Sequence, residues 1–299
     1  MAFRYRYLLG AMQQAHIVAT VRSLGIPEEA DRLPQIIEAW RAASGRMQKL
    51  AKEDPGAADQ PKTFDMDPAL QQRLQAISAD PLFQASFSDL PTTFSMVDID
   101  DVVAPQREVN LDYVDTIRQR LKTKEIDEVV EVCLETRAEP PDIQAIQTAG
   151  NEMIFTSRSI DLRFLGGFPK KIDEADIKVA HSGGQPVAVI TLLVGFGAAP
   201  ISALIYGNRV VLANGFHRVC ALRLEGITRL PMVLRHVANP DIEFPEQFLN
   251  LPKSYLLQAQ RPVLIKDFFD PELTVEILLK PRRKSLQVQW GASPGIVPE

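Results

Sequence analysis

Hydrophobic positions change their spacing several times along the 299-residue chain, and each change predicts an element. From Tyr5 to Leu24 apolar and polar residues interleave as in an amphipathic helix, which Gly25 and Pro27 stop. A second helix is expected from about Leu33 to Lys52, where Ile36, Ile37, Trp40 and Met47 fall near helical spacing. Residues 53–61 are acidic and contain Pro and Gly, the composition of a linker. Asp67 as N-cap and Pro68 at the first helical position predict a short helix to Ser78.

The pattern changes near Phe94. Phe94–Ile99 reads as a strand, Asp100-Asp101 as a turn, Pro105-Gln106-Arg107 as a loop and Asp112–Leu121 as a helix. A charged helix near Glu125–Thr136, a break at Pro140-Pro141, a strand at Met153–Thr156 and the turn His181-Ser182-Gly183-Gly184 follow. Val187–Val194 is apolar and β-branched, which predicts a buried strand ending at Gly195-Phe196-Gly197. Ile201–Tyr206 and Arg209–Leu212 flank Gly207-Asn208 as a hairpin. After Asn214-Gly215 a short helix carries Val219 and Leu222, and Cys220 and Leu224, at helical spacing, with Gly226 as C-cap glycine. Leu230–Val237 is a strand, Phe244–Ala259 a helix, and Leu273–Leu279 with Ser285–Trp290 a hairpin around Pro281–Lys284; the tail from Gly291 is loose.

Composition narrows the function classes. Apolar residues make up 45% and charged residues 24%, enough for a core without staples. A net charge of −5 argues against non-specific coating of nucleic acid. Cys133 and Cys220 form no CxxC pair or metal-finger spacing, so a reducing cytoplasm is the expected compartment. No apolar run approaches the roughly 18 residues of a membrane span, and no membrane partner is expected. Arg4 and Arg6 precede apolar residues as in a signal peptide, but Gln13, Gln14 and His16 interrupt the run.

The chemistry concentrates at Asn214-Gly215-Phe216-His217-Arg218, between a strand and a helix. A helix N-terminus presents unpaired N–H groups and partial positive charge, and so attracts anions. Gly215 permits close approach of a ligand, and His217 and Arg218 add donors. Between Ile201 and Val237 five arginines (Arg209, Arg218, Arg223, Arg229, Arg235) face one acid, Glu225, a local charge of +4. The alternative is a tight turn with solvated charges. Asp98, Asp100 and Asp101 could place a carboxylate near a nucleotide's magnesium, although such a cluster is more often a solvated strand end. His181, His217 and His236 lack metal-ligand spacing; Gly195-Phe196-Gly197 lacks the lysine of a phosphate loop; Arg282-Arg283-Lys284 reads first as a turn.

Residues Val210–Ile227 followed by Leu230-Pro231-Met232-Val233-Leu234 resemble the ParB/sulfiredoxin superfamily, whose members share a strand, a glycine turn closed by His-Arg or Arg-Arg, an Ala-containing helix, a glycine and a strand. Val97–Arg107 resembles the opening of ParB-type domains, and the two stretches cover about a quarter of the chain. The resemblance implies an α+β fold, a ParB/sulfiredoxin-like mixed sheet with helices preceded by an N-terminal helical region. Its expected domains are 1–90 (helical), 91–237 (with an insertion at about 122–186) and 238–299 (helix plus hairpin). Phe216 stands where sulfiredoxins carry their catalytic cysteine, which excludes that chemistry, and the segment after Val237 leaves little room for the DNA reader of partition proteins. The implied function is nucleotide binding, a nucleoside triphosphate with Mg2+ held by Asn214, Gly215, Phe216, His217, Arg218 and Arg107, with NTP hydrolysis or phosphoryl transfer as accompanying chemistry. The alternatives are a nucleic-acid-binding or nuclease protein using the same turn, or an inert interaction module. A homo-oligomer or protein partner is expected through residues 1–90.

Overall fold

The computed structural model describes residues 2–136, 141–159, 161–179, 185–244 and 249–295. It mixes helix and sheet, as an α+β chain should. Two compact units emerge: unit 1 is Met1–Ala138 with Ala198–Pro281, and unit 2 is Glu139–Gly197 with Arg282–Glu299. The expected Pro140-Pro141 break lies partly, and the turn His181–Gly184 wholly, outside the described residues.

Unit 1 begins with β1 (Phe3–Leu8), α1 (Gln14–Leu24), α2 (Pro27–Asp31), α3 (Leu33–Glu53) and β2 (Thr63–Phe64). It continues through α4 (Gln71–Ala79), α5 (Pro81–Phe87), β3 (Thr92–Asp98), β4 (Glu108–Asn110), α6 (Leu111–Arg118) and α7 (Ile126–Leu134). Unit 2 supplies β5 (Ile143–Ala149), β6 (Glu152–Ser157), β7 (Arg163–Lys171), α8 (Glu174–Val179) and β8 (Ala188–Gly195). The chain re-enters unit 1 for β9 (Ser202–Tyr206), β10 (Arg209–Asn214), α9 (Phe216–Leu224), β11 (Arg229–His236), α10 (Pro240–Glu243), α11 (Lys253–Gln258) and β12 (Thr274–Leu279), and ends in unit 2 with β13 (Lys284–Gln289).

The main sheet of unit 1 has the order β10-β9-β11-β3-β2, antiparallel except where β11 runs parallel to β9. Val103 extends it beyond β10: its N–H donates to Val210 O at 2.9 Å, and its carbonyl accepts from Leu212 N at 3.0 Å. Pro231 sits inside the central strand β11 because its nitrogen faces β9 ahead of the first pairing, Val233 with Ser202, where no donor is needed. Both faces are covered, so Val210, Val211, Leu212, Leu230, Met232 and Val233 are all buried.

The N-terminal region is not all helical. Phe3–Leu8 forms the centre of a second sheet, β12-β1-β4, where a helix was expected. The reason is visible in Phe-Arg-Tyr-Arg-Tyr, a period of two rather than 3.6. Tyr5 and Tyr7 are buried on one face. Arg4 reaches the carboxylates of Asp112 and Asp115, and Arg6 that of Glu276, on the other. Helices α1 and α3 cover the tyrosine face through Ile17, Val21, Ile36 and Ala43. Gly10 lets α3 approach, since a Cβ there would lie 2.3 Å from Met47 Cγ.

The C-terminal segment differs too. β12 pairs with β1 in unit 1, whereas β13 pairs with β6 in unit 2, so Leu273–Leu279 and Ser285–Trp290 are not a hairpin. Of the helix expected over Phe244–Ala259, residues 253–258 are helical and 245–248 lie outside the described residues. Unit 2 contains the sheet β13-β6-β5 and the ribbon β7-β8, which begins later than the expected insertion and extends to Gly197. β8 was expected to be buried; instead Ala188, Ile190, Leu192 and Leu193 are exposed.

Unit 1 is also fixed by buried ion pairs. Arg261 and Asp267, 1% and 3% exposed, make two parallel hydrogen bonds of 2.7 Å, and Asp267 also accepts from Leu264 N at 2.8 Å. Asp267→Ala strands a buried guanidinium and is expected to cost about 3–5 kcal/mol in urea unfolding, whereas replacing both partners with apolar residues of similar volume recovers most of it. The loop before α7 is organised by Glu128, whose carboxylate accepts from the N–H groups of Lys122, Thr123 and Lys124 at 2.7, 2.8 and 2.7 Å. These bonds, that of Lys122 first, lower its pKa from 4.5 to about 2. A depressed carboxyl contributes stability that is fully present above 4.5 and is lost as pH falls through about 2. Urea midpoints measured from pH 5 downwards should therefore show a steeper acid loss in wild type than in Glu128→Gln.

Candidate functional site

The turn is built from the end of β10. The β10–β9 register shifts between Leu212 and Asn214, which releases the chain from the ladder. Gly215 then takes φ +92°, a left-handed conformation, and a Cβ there would lie 2.7 Å from Ile201 Cγ1. Both facts require glycine. Gly215 offers no side-chain cap, and the first intrahelical bond is Val219 N–H to Gly215 O at 2.9 Å. The N–H groups of the first helical turn precede that bond, as at the start of any helix. At the other end Gly226, φ +82°, closes α9 with Ile227 N–H on Leu222 O at 3.0 Å, the Schellman arrangement.

The side chains of the turn diverge. Phe216 is buried edge-to-face against Phe268, centroids 4.9 Å apart, so only its backbone is available to a ligand. Asn214 Nδ2 donates to Ala198 O, and to Pro200 O at 3.2 Å. Arg218 Nη1 donates to Val132 O at 3.1 Å, and Nη2 donates to Ala199 O. With Ile201 N–H on Cys133 O at 2.7 Å, these bonds join the end of α7 to the segment that re-enters unit 1. His217 points elsewhere. Its Nε2 accepts from Asn110 N–H at 3.3 Å. Its ring meets the exposed Tyr113 edge-on at 5.2 Å.

Arg107 lies three residues before Asn110. Its Nη1 is 3.3 Å from His16 Nδ1, while its Nε is buried without a hydrogen-bond partner. Burial lowers its pKa from the ordinary guanidinium value. Gln106 Oε1 beside it is likewise buried and unpaired. The box Pro105-Gln106-Arg107 and the turn are thus linked through β4, by the contact of Asn110 with His217.

The five arginines of the basic stretch do not share one face. Arg209 is buried on Asp59 at 2.6 Å and on the carbonyls of Leu256 and Ala259. Arg223 makes a two-bond pair with Asp100 at 2.7 and 3.2 Å. Arg229 lies over the ring of Phe64, and Arg235 pairs with Asp89 at 2.5 Å. The acidic cluster is equally committed: Asp98 caps the turn at Asp100 N, and Asp101 pairs with Lys266 at 3.1 Å. Asp98, Asp100 and Asp101 therefore do not fit a magnesium ligand set. Among the described residues no group of three His, Cys, Asp or Glu fits a metal ion. His236 bonds Thr93 Oγ1 at 3.0 Å, and Gly197 N–H donates to Asp161 at 2.8 Å; both are structural contacts. Burial pushes the thiols of Cys133 and Cys220 up to about 12, so neither is a nucleophile.

The residues that sequence reasoning passed over are Asn110 and Tyr113, beside His217, and His16, beside Arg107. Asn110 did carry a signal: it precedes Leu111 as an N-cap, and its side chain accepts from Tyr113 N at 3.1 Å. No family model, no curated protein and no solved structure matches the chain. None of the described helices is long and apolar enough to cross a membrane.

The turn's own geometry sets a test. Arg218→Ala strips partners from two carbonyls and should cost about 1–3 kcal/mol per group left unsatisfied. Gly215→Ala forces both the left-handed φ and the Ile201 contact, and should destabilise by at least as much. Urea unfolding measures both, with Arg223→Ala as a comparison for an arginine that binds a single carboxylate.

Proposed function

We propose that the chain binds a phosphate-bearing ligand, a nucleoside triphosphate in the first instance, at the N-terminus of α9. The observation that carries this reading is the left-handed Gly215 turn, which opens a nine-residue helix without any side-chain cap. Three first-turn N–H groups and the positive end of the helix dipole lie together there. His217 lies in the same first turn, where its Nε2 accepts from Asn110 N–H. Arg107, with an unpaired Nε and a charge that burial disfavours, gains from any anion placed beside it. The order β10–α9–β11, with β11 parallel to β9, supports the ParB/sulfiredoxin-like fold as part of the same proposal. Phosphate is held in this scheme by backbone, His217 and Arg107, and the Arg218 side chain positions the turn rather than the ligand.

A second reading is favoured by one observation. Asn214 and Arg218 both end on backbone carbonyls, as they would in a turn kept for architecture alone. On that reading the chain is an interaction module with no ligand at α9.

Calorimetric titration with ATP, CTP and GTP in the presence of magnesium separates the two. Binding by wild type, weakened about tenfold or more by His217→Ala and by Arg107→Ala, is the expected result, a loss of about 1.4 kcal/mol or more. Absence of binding to wild type, or equal binding by folded variants, favours the architectural reading. The choice of these two residues avoids Arg218, whose loss would confuse binding with folding.

A further inference from the structure

We draw no further inference here: the strongest candidate, the groove of unit 1 between α4 and β3 lined by Asp65, Met66, Leu74, Gln75, Thr93 and Phe94, is a partly apolar surface and nothing in the structure shows what covers it.

Discussion

Three backbone carbonyls in residues 198–200 and one at Val132 would lie unpaired where the chain enters and leaves the main sheet, and the Asn214–Arg218 turn is what pairs them. Buried carbonyls without partners cost more than most surface contacts return. The polypeptide departs unit 1 after α7 and comes back just before β9, so two chain segments that are distant in sequence must be fixed side by side at that point. Ile201 N–H on Cys133 O makes one direct link. Arg218 makes the second by reaching one carbonyl on each segment, a use of its planar fork that a lysine would not reproduce. β9 is seated by this arrangement, and β10 and β11 both pair with β9.

The same constraint explains why the turn looks like an anion site and why its side chains only partly behave as one. Gly215 is needed for its left-handed φ and for the proximity of Ile201, whether or not a ligand binds. An uncapped helix start follows from that glycine, because it has no side chain with which to cap. Architecture thus sets the uncapped start of the helix, and the side chain of His217 turns towards Asn110 and Tyr113. Arg107 arrives from a different strand with an unpaired nitrogen. The balance between a phosphate site and a bare turn therefore rests on His217 and Arg107, not on the charge of the surrounding stretch.

That distinction was hidden in the sequence. Local rules located the elements where local physics decides: Asp67 caps as its spacing implies, Gly207 and Gly226 take positive φ at a hairpin and a helix end, and β11 runs where Leu230–Val237 is apolar. Long-range partners were not legible. A sum of five arginines and one acid says nothing about direction, and those arginines go to Asp59, to backbone carbonyls, to Asp100, to Phe64 and to Asp89. The strand Phe3–Leu8 was legible, through its alternating Tyr and Arg, but adjoins a true helix that masks its period. β12 and β13 are separated by a Pro-Arg-Arg-Lys stretch that suits a hairpin, and only pairing with β1 and β6 assigns them to different units.

β8 is the instructive failure, because its sequence and its surroundings disagree. An unbroken apolar run without charges is the pattern of a strand buried on both faces, and hydrophobic burial is the force that selects for that pattern. Among the described residues the strand pairs with β7 alone, and Ala188, Ile190, Leu192 and Leu193 are exposed. Unit 1 shows the contrast: the apolar residues of its strands β9, β10 and β11 are mostly buried within it. The apolar pattern along a strand reports that its side chains pack against something, and it does not by itself say against which part of the fold.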